Sequence, residues 1–209
     1  MNLKDSLMQF QGSSDETELQ KMFRILAPSF LYGGFIQVRN DYQIFIRTVE
    51  FYFHSEKPNG IHDPIVYHRN GRDLEIIPYF PLMTLHAHAS GFDITFESEE
   101  REYRASALIR SYEVKDKDGN FLIWGKDEQN KRSFVKSHSY GFNTQSTYLY
   151  ILLNGFTLDK GNEVRWVDSP MIQSKVIQEK RRQNVYQYDI TGKKIQCDRN
   201  WSFTREEQV

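Results

Sequence analysis

Along residues 42–53 apolar and polar positions alternate in a way that sets the first expectation. The stretch is rich in β-branched and aromatic side chains, and Ile44, Ile46, Thr48, Glu50 and Tyr52 fall on every second position, the period of a strand. Unbroken alternation puts all of them on one face. Glu50 then ends a largely apolar row, partly desolvated, and desolvation raises the pKa of a carboxylate towards the range of a general base. An edge strand with Glu50 pointing into water has the same pattern and stays open. Upstream, Leu19, Met22, Phe23 and Leu26 recur at helical spacing behind Gly12-Ser13-Ser14-Asp15, a break followed by an N-cap, so a helix is predicted that Pro28 stops. Phe30 to Arg39 reads as a strand, Asn40-Asp41 as a turn, and Tyr42 to Phe53 as its antiparallel neighbour. Leu85 to Phe96, Tyr103 to Val114 and Phe121 to Trp124 read as further strands, with Asp118-Gly119 as a turn. Residues 144–153 suit either a helix ending at Asn154-Gly155 or a strand. The pattern predicts a single α+β domain with a curved, mostly antiparallel sheet and flanking helices. It runs over residues 19–195, between an N-terminal segment, 1–18, and a polar C-terminal tail, 196–209.

Composition narrows the class. At 209 residues, with 39% hydrophobic and 14% aromatic side chains, the chain has enough apolar material for one core. Its one cysteine, Cys197, excludes an internal disulfide framework, and no apolar run reaches the length of a bilayer span. No secretory signal is visible at Met1-Asn2-Leu3-Lys4, so a cytoplasmic location without a membrane partner is expected. A net charge of −1 gives no global pull towards nucleic acid. Any such contact has to be local, and the concentrated cations are Lys180-Arg181-Arg182 and Lys193-Lys194. That run serves either as a solvated face or as a phosphate-binding surface.

Candidate chemistry gathers on histidines and carboxylates. His86 and His88 share one strand face, and Ala87, Ala89, Ser90 and Gly91 around them leave room for a ligand. With His62, His68 and Asp93 they supply metal-ligating atoms, yet two histidines on a strand equally make a hydrogen-bonded wall or a stacking surface, and no metal is expected. There is no Gly-x-Ser-x-Gly elbow, Walker pattern or dinucleotide fingerprint, which removes weight from acyl-transfer and nucleotide-dependent chemistry.

Over roughly residues 19–190 the order of features resembles the alkyladenine (3-methyladenine) DNA glycosylases. Arg47-Thr48-Val49-Glu50-Phe51-Tyr52 is similar to that family's Val-Glu-Thr-Glu-Ala-Tyr strand, and Thr84-Leu85-His86-Ala87-His88 to its Thr-Leu-Tyr-x-Tyr. Asp93-Ile94-Thr95 stands where the family has Asn-Ile-Ser, Leu108-Ile109-Arg110 where it has Leu-x-Arg, and Asp168-Ser169-Pro170-Met171-Ile172 near its Pro-Arg-Ile-Gly. The resemblance implies a DNA glycosylase in which Glu50 activates water, Arg110 orients the water or the carboxylate or binds a phosphate, and Tyr52, His68, His86, His88 and Asp93 bind the base. Ser90, Lys180, Arg181 and Arg182 would meet DNA, expected as a duplex, with no cofactor and no protein partner. The chain departs from the family where His86 and His88 replace stacking tyrosines and where Ser90 or its neighbour replaces an aromatic wedge. No lysine matches a Schiff-base position, which implies base release without strand cleavage. Two alternatives remain: a non-catalytic nucleic-acid or ligand-binding module on the same fold, and a hydrolase of a small nucleoside-like substrate.

Overall fold

The structure is a computed structural model describing residues 2–63, 65–66, 76–88, 91–144, 153–159, 161–170, 176–182, 185–188, 191–196 and 199–206. Two helices come first. In α1 (Leu3–Met8) the Asn2 side chain accepts from the Asp5 N–H at 2.7 Å, and Leu3 and Leu7 are buried. In α2 (Glu16–Tyr32) Asp15 caps the Glu18 N–H at 2.9 Å, while Glu16 and Glu18 sit at the positive end of the helix dipole. Leu19, Phe23, Leu26, Ala27, Phe30 and Leu31 form its buried stripe. Pro28 does not stop this helix, contrary to the sequence reading. It denies the Arg24 carbonyl one hydrogen bond, but the apolar stripe continues on both sides of it, and packing holds the last turn. Residues 30–32 are therefore helical, and the following strand is shorter than expected.

Eleven strands make one curved sheet in which every described pairing is antiparallel: β1 (Gly34–Val38), β2 (Tyr42–Ser55), β3 (Leu85–His88), β4 (Gly91–Thr95), β5 (Tyr103–Asp116), β6 (Phe121–Lys126), β7 (Arg132–Lys136), β8 (Asn143–Thr144), β9 (Val164–Asp168), β10 (Ile177–Lys180) and β13 (Ser202–Arg205). A separate hairpin joins β11 (Tyr186–Tyr188) to β12 (Lys194–Gln196). The spine runs β10-β13-β2-β5-β4-β3. The expected single strand over 85–96 is thus the hairpin β3–β4. The 144–153 alternative lies mostly outside the described residues. Described residues of the expected N-terminal segment and C-terminal tail belong to the fold: Leu3, Leu7 and Phe10 pack in the core, Trp201 is fully buried, and β13 pairs with β2. No helix among the described residues is long and apolar enough to cross a membrane.

The alternation on β2 breaks once. Ile46 pairs with Tyr112 and Thr48 with Ser111, so the ladder passes over Arg47; Val49 then pairs with Ile109, so it passes over Arg110 on β5. Each bulge moves its strand to the opposite face. Ile44 and Ile46 point into the main core, and beyond the bulge Val49, Phe51 and Phe53 do so in their place. Phe51 stacks on Phe23 of α2 with ring centroids 4.6 Å apart. Thr48, Glu50, Tyr52 and His54 consequently occupy the other face. The predicted apolar row of Ile44, Ile46 and Glu50 does not exist, because the bulge separates them. That other face is buried too, but by ions: Arg104, with no exposed surface, meets Glu56 and Glu97 at 3.0 and 3.1 Å and donates to the carbonyls of Ile77 and Pro78.

Candidate functional site

Register places the candidate residues. His86 pairs with Asp93, Asp93 with Leu108, Leu108 with Glu50 and Glu50 with Ser202, so these side chains form one row across β3, β4, β5, β2 and β13. Glu50 and Asp93, two strands apart, are about 10 Å from each other in backbone. Glu50 is 2% exposed. Its Oε2 accepts from the Tyr52 hydroxyl at 3.1 Å and faces Arg110 Nε at 3.6 Å. Arg110 comes to this face because it is the bulged residue of β5, and with its side chain 24% exposed it links the carboxylate to solvent.

Burial, and next the Glu50 carboxylate, push the Tyr52 hydroxyl well above the ordinary tyrosine pKa, which keeps it a proton donor. Its ring packs with Val66, Leu108 and Val185, and the Arg182 guanidinium lies 4.4 Å from the ring centroid. Tyr52 is therefore a hydrogen-bonding partner of Glu50 whose ring is largely covered, a narrower part than the open stacking surface implied by the resemblance.

Beside this pair, His88 Nε2 lies 3.3 Å from Asp93 Oδ2, and Asp93 is 4% exposed. The His86 ring leans on Phe80 at 4.8 Å and runs within 29° of parallel to His88 at 6.2 Å, so the two imidazoles do share a face. His62 contacts the Lys57 carbonyl and the His54 ring. Among the described residues no three His, Cys, Asp or Glu side chains gather as a metal site. His68 and Ser90 lie outside the described residues.

The basic run divides. Lys180 and Arg181 are exposed, but Arg182 is 1% exposed, donates to Asp63 Oδ2 at 2.7 Å and to the Phe51 carbonyl at 3.3 Å, and so cannot meet a phosphate. Asp63, with no exposed surface, is not singled out by the sequence, nor is its link to Arg182, 119 residues away, because the pair is brought together only by the fold. The arrangement presents a buried carboxylate oriented by a phenol and a cation, next to a histidine–carboxylate pair. That is equipment for moving a proton near developing positive charge. No family model, curated protein or solved structure matches the chain.

Proposed function

We propose that the chain is a monofunctional, cytoplasmic N-glycosidic hydrolase that releases a damaged or modified base from DNA, with Glu50 as the base that activates water. One observation carries the reading: Glu50 is a buried carboxylate gripped on Oε2 by Tyr52 and faced by Arg110, in the setting that resembles the glycosylase strand. As the glycosidic bond breaks, its electron pair leaves with the base and the sugar gains oxocarbenium character. Water adds to the anomeric carbon and gives a proton to Glu50, whose charge also offsets that of the sugar. Arg110 and Tyr52 hold the carboxylate in place. His86 and His88 wall the base, and Asp93 fixes the orientation of His88.

A small nucleoside-like substrate is the second reading, favoured by the burial of Arg182, which leaves two exposed cations in the central basic run instead of three. The test incubates the protein with duplex DNA carrying a panel of modified bases and, in parallel, with the corresponding free nucleosides, and detects released base by mass spectrometry. Release from DNA is expected, and Glu50→Gln should slow it about 10²- to 10⁴-fold with binding retained. Cleavage of nucleosides alone would move the assignment to the second reading, and full turnover by Glu50→Gln would remove Glu50 from the mechanism.

A further inference from the structure

On the Glu50 face the sheet also carries a cavity of about 440 Å³ whose lining includes Arg47, Thr48, Ser111, Phe142, Thr204 and Arg205. None of these residues has a part in the hydrolysis described above. Its floor is a chain of hydroxyls on three adjacent strands: Ser111 donates to Thr48 Oγ1 at 2.8 Å, and the Thr48 and Thr204 oxygens are 3.0 Å apart. Two bonds among these hydroxyls use two of their protons, leaving one donor and several lone pairs for a ligand.

The charges around this floor balance. Arg47 Nη1 and Arg205 Nη2 both bond Glu113 Oε1, to which the Tyr140 hydroxyl donates at 2.6 Å. Glu206, also on the lining, accepts from Gln178 at 2.9 Å. Two guanidiniums against two carboxylates create no net demand for an ionic ligand. The rim is aromatic: Phe142 is 49% exposed, with the Arg47 guanidinium 4.9 Å from its centroid. A flat heterocycle complements this combination, its face on Phe142 and its donor and acceptor edge on the hydroxyl floor.

We propose that the cavity binds a planar, uncharged, hydrogen-bonding ring of nucleobase type, as a second ring site beside the carboxylate. Thr48 and Glu50 are two positions apart on one face, about 7 Å along the strand. A ring in the cavity and a glycosidic bond at Glu50 thus lie within reach of one substrate, with His86 and His88 three strands across on β3. Given the glycosylase reading, on which this step rests, the ring is the base neighbouring the one released, and the substrate is at least a dinucleotide.

Ligand-observed NMR with adenosine, cytidine, guanosine and thymidine as probes tests the ring site by binding alone, in wild type and in Phe142→Ala, Thr204→Val and Thr204→Ser. At least one nucleoside should bind wild type, and Phe142→Ala and Thr204→Val should weaken it by about tenfold or more, while Thr204→Ser, which keeps the hydroxyl, holds wild-type affinity. No binding by wild type, or wild-type affinity in both Phe142→Ala and Thr204→Val, would overturn the proposal. For the neighbouring base, a short oligonucleotide with a modified base is compared with one in which the flanking sugars lack bases. The Glu50→Gln protein should prefer the former about tenfold, and the same protein carrying Phe142→Ala should not; equal affinity of Glu50→Gln for both would overturn that assignment. No base release by the wild-type protein from any modified duplex, with ring binding intact, would count against the reading of Glu50 and leave the ring site standing.

Discussion

The Arg182 guanidinium bonds Asp63, supports the Phe51 carbonyl and covers the Tyr52 ring. Arg182→Met should cost about 3–5 kcal/mol, because it leaves Asp63 buried with Arg199, at 3.7 Å, as its remaining cation among the described residues. The drop in urea midpoint measures this, with exposed Lys180→Ala as the control expected near zero. Two buried tyrosines give stability a pH dependence. Burial pushes Tyr103, whose hydroxyl donates to the Phe10 carbonyl at 3.2 Å, up to about 12, and Tyr52 is raised as well. Both hold their protons more tightly folded than unfolded. Their contribution is complete below about pH 10, the unfolded value, and is lost as pH climbs through the folded one. Urea midpoints should therefore fall between pH 10 and about 12, and Tyr103→Phe should flatten that fall. A midpoint unchanged across that window would contradict the burial of these hydroxyls.

Among the elements, α2 and β2 show what a linear pattern can and cannot convey. Asp15 and the spacing of Leu19, Phe23 and Leu26 announce the start and the buried face of α2 correctly, since caps and periodicity are local. Its end is misjudged from sequence because Pro28 is a local signal overridden by the burial of Phe30 and Leu31, which only the sheet supplies. Pro28→Ala should restore the bond to the Arg24 carbonyl and raise stability by about 1–2 kcal/mol, the helix gain exceeding the lost stiffening of the unfolded chain. A lower melting temperature would show that the helix needs the proline's geometry. On β2, alternation gives the strand and the shared face of Glu50 and Tyr52. The bulge at Arg47 is invisible, since it depends on how β5 pairs rather than on the residues of β2 themselves.

At the scale of the molecule, apolar packing with the helices fills one side of the sheet, and arginine–carboxylate clusters are buried on the other. The candidate carboxylate was legible because its neighbours lie within a few residues of one strand or in a resembling pattern. The other buried ion pairs of that face, Arg182 with Asp63 and Arg47 with Glu113, were not, since their members come from distant parts of the chain. The division of the basic run changes what binding experiments should read. With Arg182 structural, Lys180→Ala with Arg181→Ala tests the surface without disturbing the core. If the protein acts on DNA, this pair should weaken modified and unmodified duplex alike and reduce the salt slope by about 0.9 for each phosphate that is no longer neutralised. Unchanged affinity and slope would place the DNA-facing surface elsewhere.

The bulges at Arg47 and Arg110 compensate one another: positions paired before them and after them have the same register, so each strand contributes one extra residue and the ladder ends where it would have ended without either. Because Arg47 and Arg110 are the unpaired residues, deleting either one leaves Ile46 opposite Tyr112, Thr48 opposite Ser111 and Val49 opposite Ile109. Deleting both would give an uninterrupted ladder that keeps Glu50 and Tyr52 on one face and Phe51 and Phe53 towards the helices, while removing the cation that faces Glu50 and one of those that bond Glu113. The two insertions therefore add a side chain each to the Glu50 face without altering which residues pair. What they change is the chemistry of that face, because each supplies a guanidinium where an uninterrupted ladder would have one side chain fewer.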